Sequence, residues 1–265
     1  MADIDLELDT ISRARYGVDV RQAIVDALTK MNEENKNGKV CVKNLGNTFT
    51  DEQKSEIYKG TFKGLYLGSY WTIEGQYWRI WGFNWYKNKA GCNKNHVVII
   101  PDGLLLPSDD NNSYMNTTAT SSGGYKGTNL RTTYLPSLYN GIINRAFGTD
   151  YVLKHREFLS TSVDSYSTTD NCSVEIPSEI MLYGTCIFGK GAWQVTSSYP
   201  ILPLALLRPD LVYAGRSYWL RDIYDSQSFA NVVQDAHANV LQANHTQPGV
   251  RPYFFLYSPT DPLAT

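Results

Sequence analysis

Four histidines, four cysteines and a few acidic clusters are the residues of this 265-residue sequence with the means to do chemistry. His96 opens an apolar stretch and His155 stands between Lys154 and Arg156; neither has a nearby partner in sequence, and both read as structural. His237 and His245 lie in a polar segment at a spacing that fits no zinc signature, so they read as surface contact residues. Cys41, Cys92, Cys172 and Cys186 are scattered without a Cys-x-x-Cys pair. Free thiols are expected, with a Cys172–Cys186 bridge left open if that segment is a hairpin. Asp109-Asp110-Asn111-Asn112 lacks the alternating acidic pattern and the closing Glu of a calcium loop. Pro177 keeps Glu175 and Glu179 out of helical register. Nothing resembles a Gly-x-Ser-x-Gly, Walker or dinucleotide motif. No metal, cofactor or catalytic residue is expected.

A second group of charges suggests architecture. Arg208, Arg221 and Arg251 each adjoin an apolar run, and each is followed by Pro or Asp. Flanked by Trp219, Leu220, Val250 and Phe254, they read as an internal ion-pair network with Asp210 and Asp222. Ser-Tyr-Trp-Leu-Arg-Asp (217–222) and Gly-Val-Arg-Pro-Tyr-Phe-Phe-Leu (249–256) read as packed strands. Between them, 224–247 is crowded with Asn, Gln, His, Asp, Ser and Thr. A rigid frame around a chemically diverse insert is how a binding surface is built.

The elements that must hold that frame are mostly strands. Leu65–Ile73, Tyr77–Phe83 and His96–Pro101 have strand texture, with Glu74-Gly75 placed for a tight hairpin between the first two. Leu153–Val163 resembles a further strand. Thr50-Asp-Glu-Gln53 is a capping box for a short helix ending near Tyr58, with Gly60 beyond it. Leu135–Phe147 is expected to be helical, burying Leu138, Ile142, Ile143 and Phe147 and ending on an αL Gly148. Leu105–Tyr125, dense in Asn, Ser, Thr and Gly, reads as a long surface loop. Strands outnumber helices and do not alternate with them, which is the α+β class. Near the start, Val20, Ile24, Ala27, Leu28 and Met31 form one apolar stripe on a helix capped by Asp19. A single stripe of this kind must pack on the main domain or on copies of itself, and self-association is the expectation. The organisation expected is 1–45 as an oligomerisation helix, 46–63 as a short helix and linker, and 64–265 as the main domain.

Composition narrows the partners. A formal net charge of −2 provides no basic field for nucleic acid or anionic membrane. Apolar runs such as Val97–Ile100 and Ile201–Leu207 are too short to cross a bilayer, and the acidic opening Met-Ala-Asp-Ile-Asp is no Sec-type signal. Tyr is unusually frequent at 19 residues, with 6 Trp and 20 Gly, a mixture that suits a β-rich fold with an adaptable recognition surface.

Several of these motifs, taken in order, carry a family resemblance. Trp219-Leu-Arg-Asp222, then Gly249-Val-Arg-Pro252 and an aromatic strand, resemble the C-terminal region of variable proteins of diversity-generating retroelements. The likeness is closer to the C-type-lectin-like tail proteins of phages infecting gut Firmicutes. Trp78-Arg-Ile, His96-Val-Val-Ile-Ile-Pro101-Asp102, Ile143-Asn-Arg-Ala-Phe-Gly148, His155-Arg156 and Leu206-Leu-Arg-Pro-Asp210 agree with it over about 64–257. Separately, Ile11 to Ile24 is similar to the leading segment of phage baseplate and tail-fibre proteins.

The resemblance implies a C-type-lectin-like domain in a virion tail protein, trimeric through its N-terminal helix and associated with other tail proteins. It also implies a variable region over about 217–255, presented to a bacterial surface protein or glycan. The displayed residues would be Tyr224, Ser226, Gln227, Ser228, Asn231, Val233, Gln234, Asp235, His237, Asn239, Leu241, Gln242, Asn244, His245, Thr246 and Gln247. Phe229, Ala230, Val232, Ala236, Ala238 and Ala243 would be scaffold, as would Trp219, Arg221, Asp222, Arg208, Asp210 and Arg251. Glutamine departs from the family pattern, because adenine changes in an Asn codon do not yield it. A structural virion subunit and, on the same fold, a formylglycine-generating type of enzyme are the alternatives. The chain lacks the Glu-Pro-Asn and Gln-Pro-Asp triplets with which many lectins hold calcium and sugar.

Overall fold

The computed structural model describes residues 42–106, 113–168, 172–189, 201–233 and 235–264. The segment expected to form the N-terminal helix, Cys41 and the Asp109–Asn112 cluster fall outside them. The architecture is α+β, built from antiparallel sheets and short helices.

Its centre is a five-stranded sheet in the order β1-β2-β3-β10-β6, from β1 (Tyr70–Ile73), β2 (Gln76–Phe83), β3 (Val97–Pro101), β6 (Val174–Glu175) and β10 (Tyr253–Leu256). Side chains of a strand point alternately to its two faces, and here both faces are packed. Val97, Ile99, Phe254 and Leu256 enter one core, whereas Val98, Ile100, Tyr253 and Phe255 enter the other. That explains the continuous apolar runs of β3 and β10. The first core is closed by α1 (Asp51–Lys59) and a helical run over 130–147; the second is closed by α4 (Glu179–Tyr183) and α5 (Pro203–Leu207). Phe147 is the hub of the first core, with ring centroids of Phe49, Trp71, Trp78 and Phe254 at 5.5–5.9 Å.

Local signals place the connections. Thr50 and Gln53 form the reciprocal capping box of α1, which ends on an αL Gly60. The β1–β2 hairpin turns at Glu74 and Gly75, both at positive φ (54° and 72°), the two-residue geometry that suits the strand twist. Residues 46–63 belong to the packed body, since Phe49 and Ile57 lie in the first core.

Other expectations need correcting. The strand expected from Leu65 begins at Tyr70, because 65–69 form turns whose leucines are nevertheless buried. That expected from Leu153 is confined to β4 (Phe158–Ser162), paired with β5 (Ser165–Thr168). The helical run begins at Leu130 and alternates π-turns (Leu130–Tyr134, Tyr139–Ile143) with α2 (Leu135–Leu138) and α3 (Asn144–Phe147). Its kink is at Gly141, and Ile142 is only half-buried. Gly148 ends the run at φ 82° and ψ 135°, outside the αL region, so it redirects the chain and does not cap by that motif. Cys172 and Cys186 are free thiols, which removes the bridge left open by the sequence.

His96 is structural. It is fully buried, its Nε2 accepts from the Tyr86 N–H at 3.1 Å, and its ring packs 4.7 Å from that of Phe255. Burial pushes its imidazolium form down to a pKa of about 4. The unfolded chain protonates this ring near pH 6.5 while the folded protein does not, so stability falls as pH drops through that window. The wild type is expected to lose about 3 kcal/mol more than His96→Gln between pH 6.5 and 4, read by urea unfolding across pH.

Candidate functional site

The polar segment of the C-terminal region is built on a separate three-stranded sheet, β7 (Tyr218–Ile223), β8 (Ser228–Val232) and β9 (Ala238–Gln242), paired in that order. β7 and β8 are buried along their whole length. Trp219, Ile223 and Phe229 face the first core, whereas Tyr218, Leu220, Ala230 and Val232 face the second. β9 is the outer strand and is half to fully exposed.

The residues expected on display therefore divide. Tyr224, Ser226 and Gln227 are exposed in the β7–β8 turn, Asp235 and His237 in the β8–β9 turn, Asn239 and Gln242 on β9, and Asn244, His245 and Gln247 beyond it. Val233, Leu241 and Thr246 are half-buried, and Gln234 is outside the described residues. Ser228 and Asn231 are a correction: both are buried, Asn231 completely. The reason is topological. β8 is the middle strand and both of its faces are covered, so its polar positions have no route to solvent. Asn231 stands opposite Asn239, yet only the outer member of that pair is exposed. Among the expected scaffold residues, Phe229, Ala230, Val232 and Ala243 are buried, while Ala236 and Ala238 are half-buried. Ala236 makes the β8–β9 turn at φ 68° and accepts from the Tyr183 hydroxyl at 3.0 Å.

What grips the other end of this sheet is the polar stretch 113–121, which the sequence reading leaves as a surface loop. Ser113, Met115, Asn116 and Ser121 are buried instead. Ser121 donates from its N–H to the Ser226 carbonyl and from its hydroxyl to the Asp225 carbonyl, at 2.9 and 2.7 Å. Asn116 N–H donates to the Ala243 carbonyl and Ser113 Oγ to that of Thr246, while Trp219 Nε1 donates back to the Ser113 carbonyl. Polarity here reflects hydrogen bonding to another segment's backbone.

The three arginines do not form one network. Arg208 pairs with Asp210 at the surface, 2.7 Å apart. Arg251 meets no carboxylate among the described residues; it donates to the carbonyls of Pro101, Leu211 and Val212 and packs its guanidinium over the rings of Trp81 and Tyr218. Arg221 pairs with Glu157, a residue the sequence reading passes over although it lies two positions from His155. Glu157 also accepts from the Tyr253 hydroxyl on β10 and lies 2.5 Å from His155 Nε2. Burial works against both charges, but Arg221 and His155 hold the Glu157 carboxyl well below the usual carboxylate range. Tyr253 and Glu157 hold Arg221 protonated against the same burial. Asp222 turns the other way, its Oδ2 accepting from the Glu179 N–H at 2.7 Å.

No activated nucleophile emerges among the described cysteines whose thiols shift. Burial pushes the Cys92 thiol up, and burial with Asp222 and Glu179 pushes that of Cys186 up to about 12. A cleft of about 750 Å³ lies between Cys92, Lys94, Asp150, Lys154, His155 and Tyr257. It is lined by none of the expected display residues. Glu175 is separate from Glu179 in role, being paired with Arg131 at 3.0 Å and accepting from Tyr125. No helix among the described residues is long and apolar enough to cross a membrane. Compared with protein-family models, curated proteins and solved structures, the chain matches none of them.

Two outcomes follow from the divided segment. Asn231→Tyr is expected to cost about 1–3 kcal/mol through overpacking, whereas Asn239→Tyr should stay within about 0.5 kcal/mol of wild type; denaturant titration separates them. Arg221→Ala leaves Glu157 charged and buried, at a cost of about 3–5 kcal/mol in the same measurement.

Proposed function

We propose that this chain is a non-catalytic recognition protein of a phage tail, which presents the outer strand β9 and its flanking turns to a bacterial surface protein or glycan. The observation that carries the reading is the separation of roles along 217–256. Exposed polar side chains of several kinds run from Tyr224 to Gln247, while Trp219, Arg221, Phe229, Val232 and Arg251 beneath them are buried. Over a five-residue strand plus its two turns, such a strip reaches roughly 20 Å or more, enough for a surface partner. Tyr and Asn supply adaptable contacts at low ordering cost.

The remainder of the reading draws on the motif resemblance. In it the domain is C-type-lectin-like, copies associate as a trimer through the N-terminal helix, and other tail proteins hold that end on the virion. The mixed antiparallel architecture is compatible with this class of domain.

The test is to replace Ser226, Asn239, Gln242, Asn244 and Gln247 together with side chains of different chemistry in the full chain. Binding to a panel of gut Firmicutes cells should be lost, while the melting temperature stays within a few degrees of wild type. Undiminished binding, or collapse of the fold, would count against the proposal.

A further inference from the structure

Behind the recognition strip, three potential metal ligands converge. Glu179 opens α4, Cys186 follows that helix, and Asp222 lies on β7; one ligand atom from each falls within 4.8 Å of the others. Glu179 and Asp222 are 43 positions apart in sequence, so no spacing rule reveals them. The two carboxylates are almost wholly buried, at 0% and 1% exposure.

The arrangement leaves one group without a partner. Asp222 Oδ2 accepts from the Glu179 N–H, but its Oδ1 is buried with no hydrogen-bond partner among the described residues. A buried charged oxygen in that condition is costly and calls for a cation or a proton. A Cβ on Gly189 would lie 3.1 Å from Asp222 Cβ and 3.3 Å from both Asp222 Oδ1 and Glu179 Oε2. Both carboxylates thus converge closely on Gly189, and a residue with no side chain permits that approach.

Glu179 is meanwhile fixed in place. Its Oε2 accepts from the N–H groups of Ile187, Phe188 and Gly189 at 2.9–3.1 Å, whereas Oε1 accepts from Phe188 alone. That leaves lone-pair capacity on Oε1. The loop 187–189 is therefore wrapped around one ligand while the thiol of Cys186 approaches beside it.

We propose that Glu179, Cys186 and Asp222 bind a divalent transition metal of the zinc class, with three protein ligands and a fourth position for water. Two carboxylate oxygens and a thiolate suit such a borderline ion, and three ligands with one open position is a common zinc arrangement. On binding, the Cys186 S–H bond is replaced by a sulfur–metal bond and the proton leaves to solvent, with no change of oxidation state. Because that proton must leave, uptake weakens as pH falls. The site also touches recognition: Phe188 packs edge-on against Tyr224, with centroids 5.9 Å apart. A metal that orders 187–189 would set the position of that exposed tyrosine.

Cobalt(II) titration into the chelator-treated full-length protein tests this, since a thiolate ligand gives a charge-transfer band in the near ultraviolet. The expected result is a saturable band displaced by zinc, absent in Cys186→Ala and retained in Cys92→Ala. Asp222→Asn should weaken cobalt binding by about tenfold or more, at least what loss of an outer partner costs a metal site. Circular dichroism of each variant shows whether it remains folded. If Cys186→Ala misfolds, protection of the Cys186 thiol from alkylation by zinc in the wild type serves as the readout. Absence of a saturable band and of such protection overturns the proposal. So does Asp222→Asn that binds cobalt as wild type does. Asp222→Asn that raises stability without any metal effect also overturns it, showing a proton shared between the carboxylates.

Discussion

The buried pairing of Arg221 with Glu157 is the constraint on which the rest of the C-terminal region depends. Arg221 belongs to β7 of the small sheet, and Tyr253, which contacts both partners, belongs to β10 of the large one. The pair therefore ties the sheet that carries the polar strip to the sheet that carries the core. A buried ion pair is not in itself a source of large stability, because desolvation offsets much of the attraction. Its force is directional. Once the two charges are inside, they tolerate little displacement, and the orientation of β7 against β10 is fixed with them.

Around that joint, the neighbouring charges are held in different ways. Arg251 is held by three backbone carbonyls and two aromatic faces, so its charge is spread over dipoles and rings. Asp222, next to Arg221 in sequence, points away to the start of α4. Adjacent residues on a strand face opposite sides. Arg221 and Asp222 thus serve two separate layers, one joining the sheets and the other joining β7 to α4.

Much of the local structure was legible in the sequence because it depends on near neighbours. The capping box at Thr50–Gln53, the Glu74-Gly75 hairpin and the strands β2, β3 and β10 are written in short-range patterns. What failed was long-range. The 113–121 stretch looks like solvent-facing loop because Ser and Asn are polar, and only the tertiary contact shows that their partners are backbone groups. Glu157 carries no local signal of its role because Arg221 is 64 residues away. Ser228 and Asn231 look like display positions because a strand's order within its sheet cannot be read from its own residues. Short apolar segments such as 201–207 likewise become helix or strand according to what they pack on.

The grip of residues 113–121 on the strip has a consequence for how such a surface changes over generations. Its acceptors at Asp225, Ser226, Ala243 and Thr246 are main-chain carbonyls, a group that all twenty amino acids possess. Replacement of the exposed side chain at Ser226, or of the half-buried one at Thr246, therefore leaves the tether's chemistry untouched. A lineage drawing new residues at these positions samples new surface chemistry on a constant backbone. Few of its draws are wasted on molecules that cannot fold.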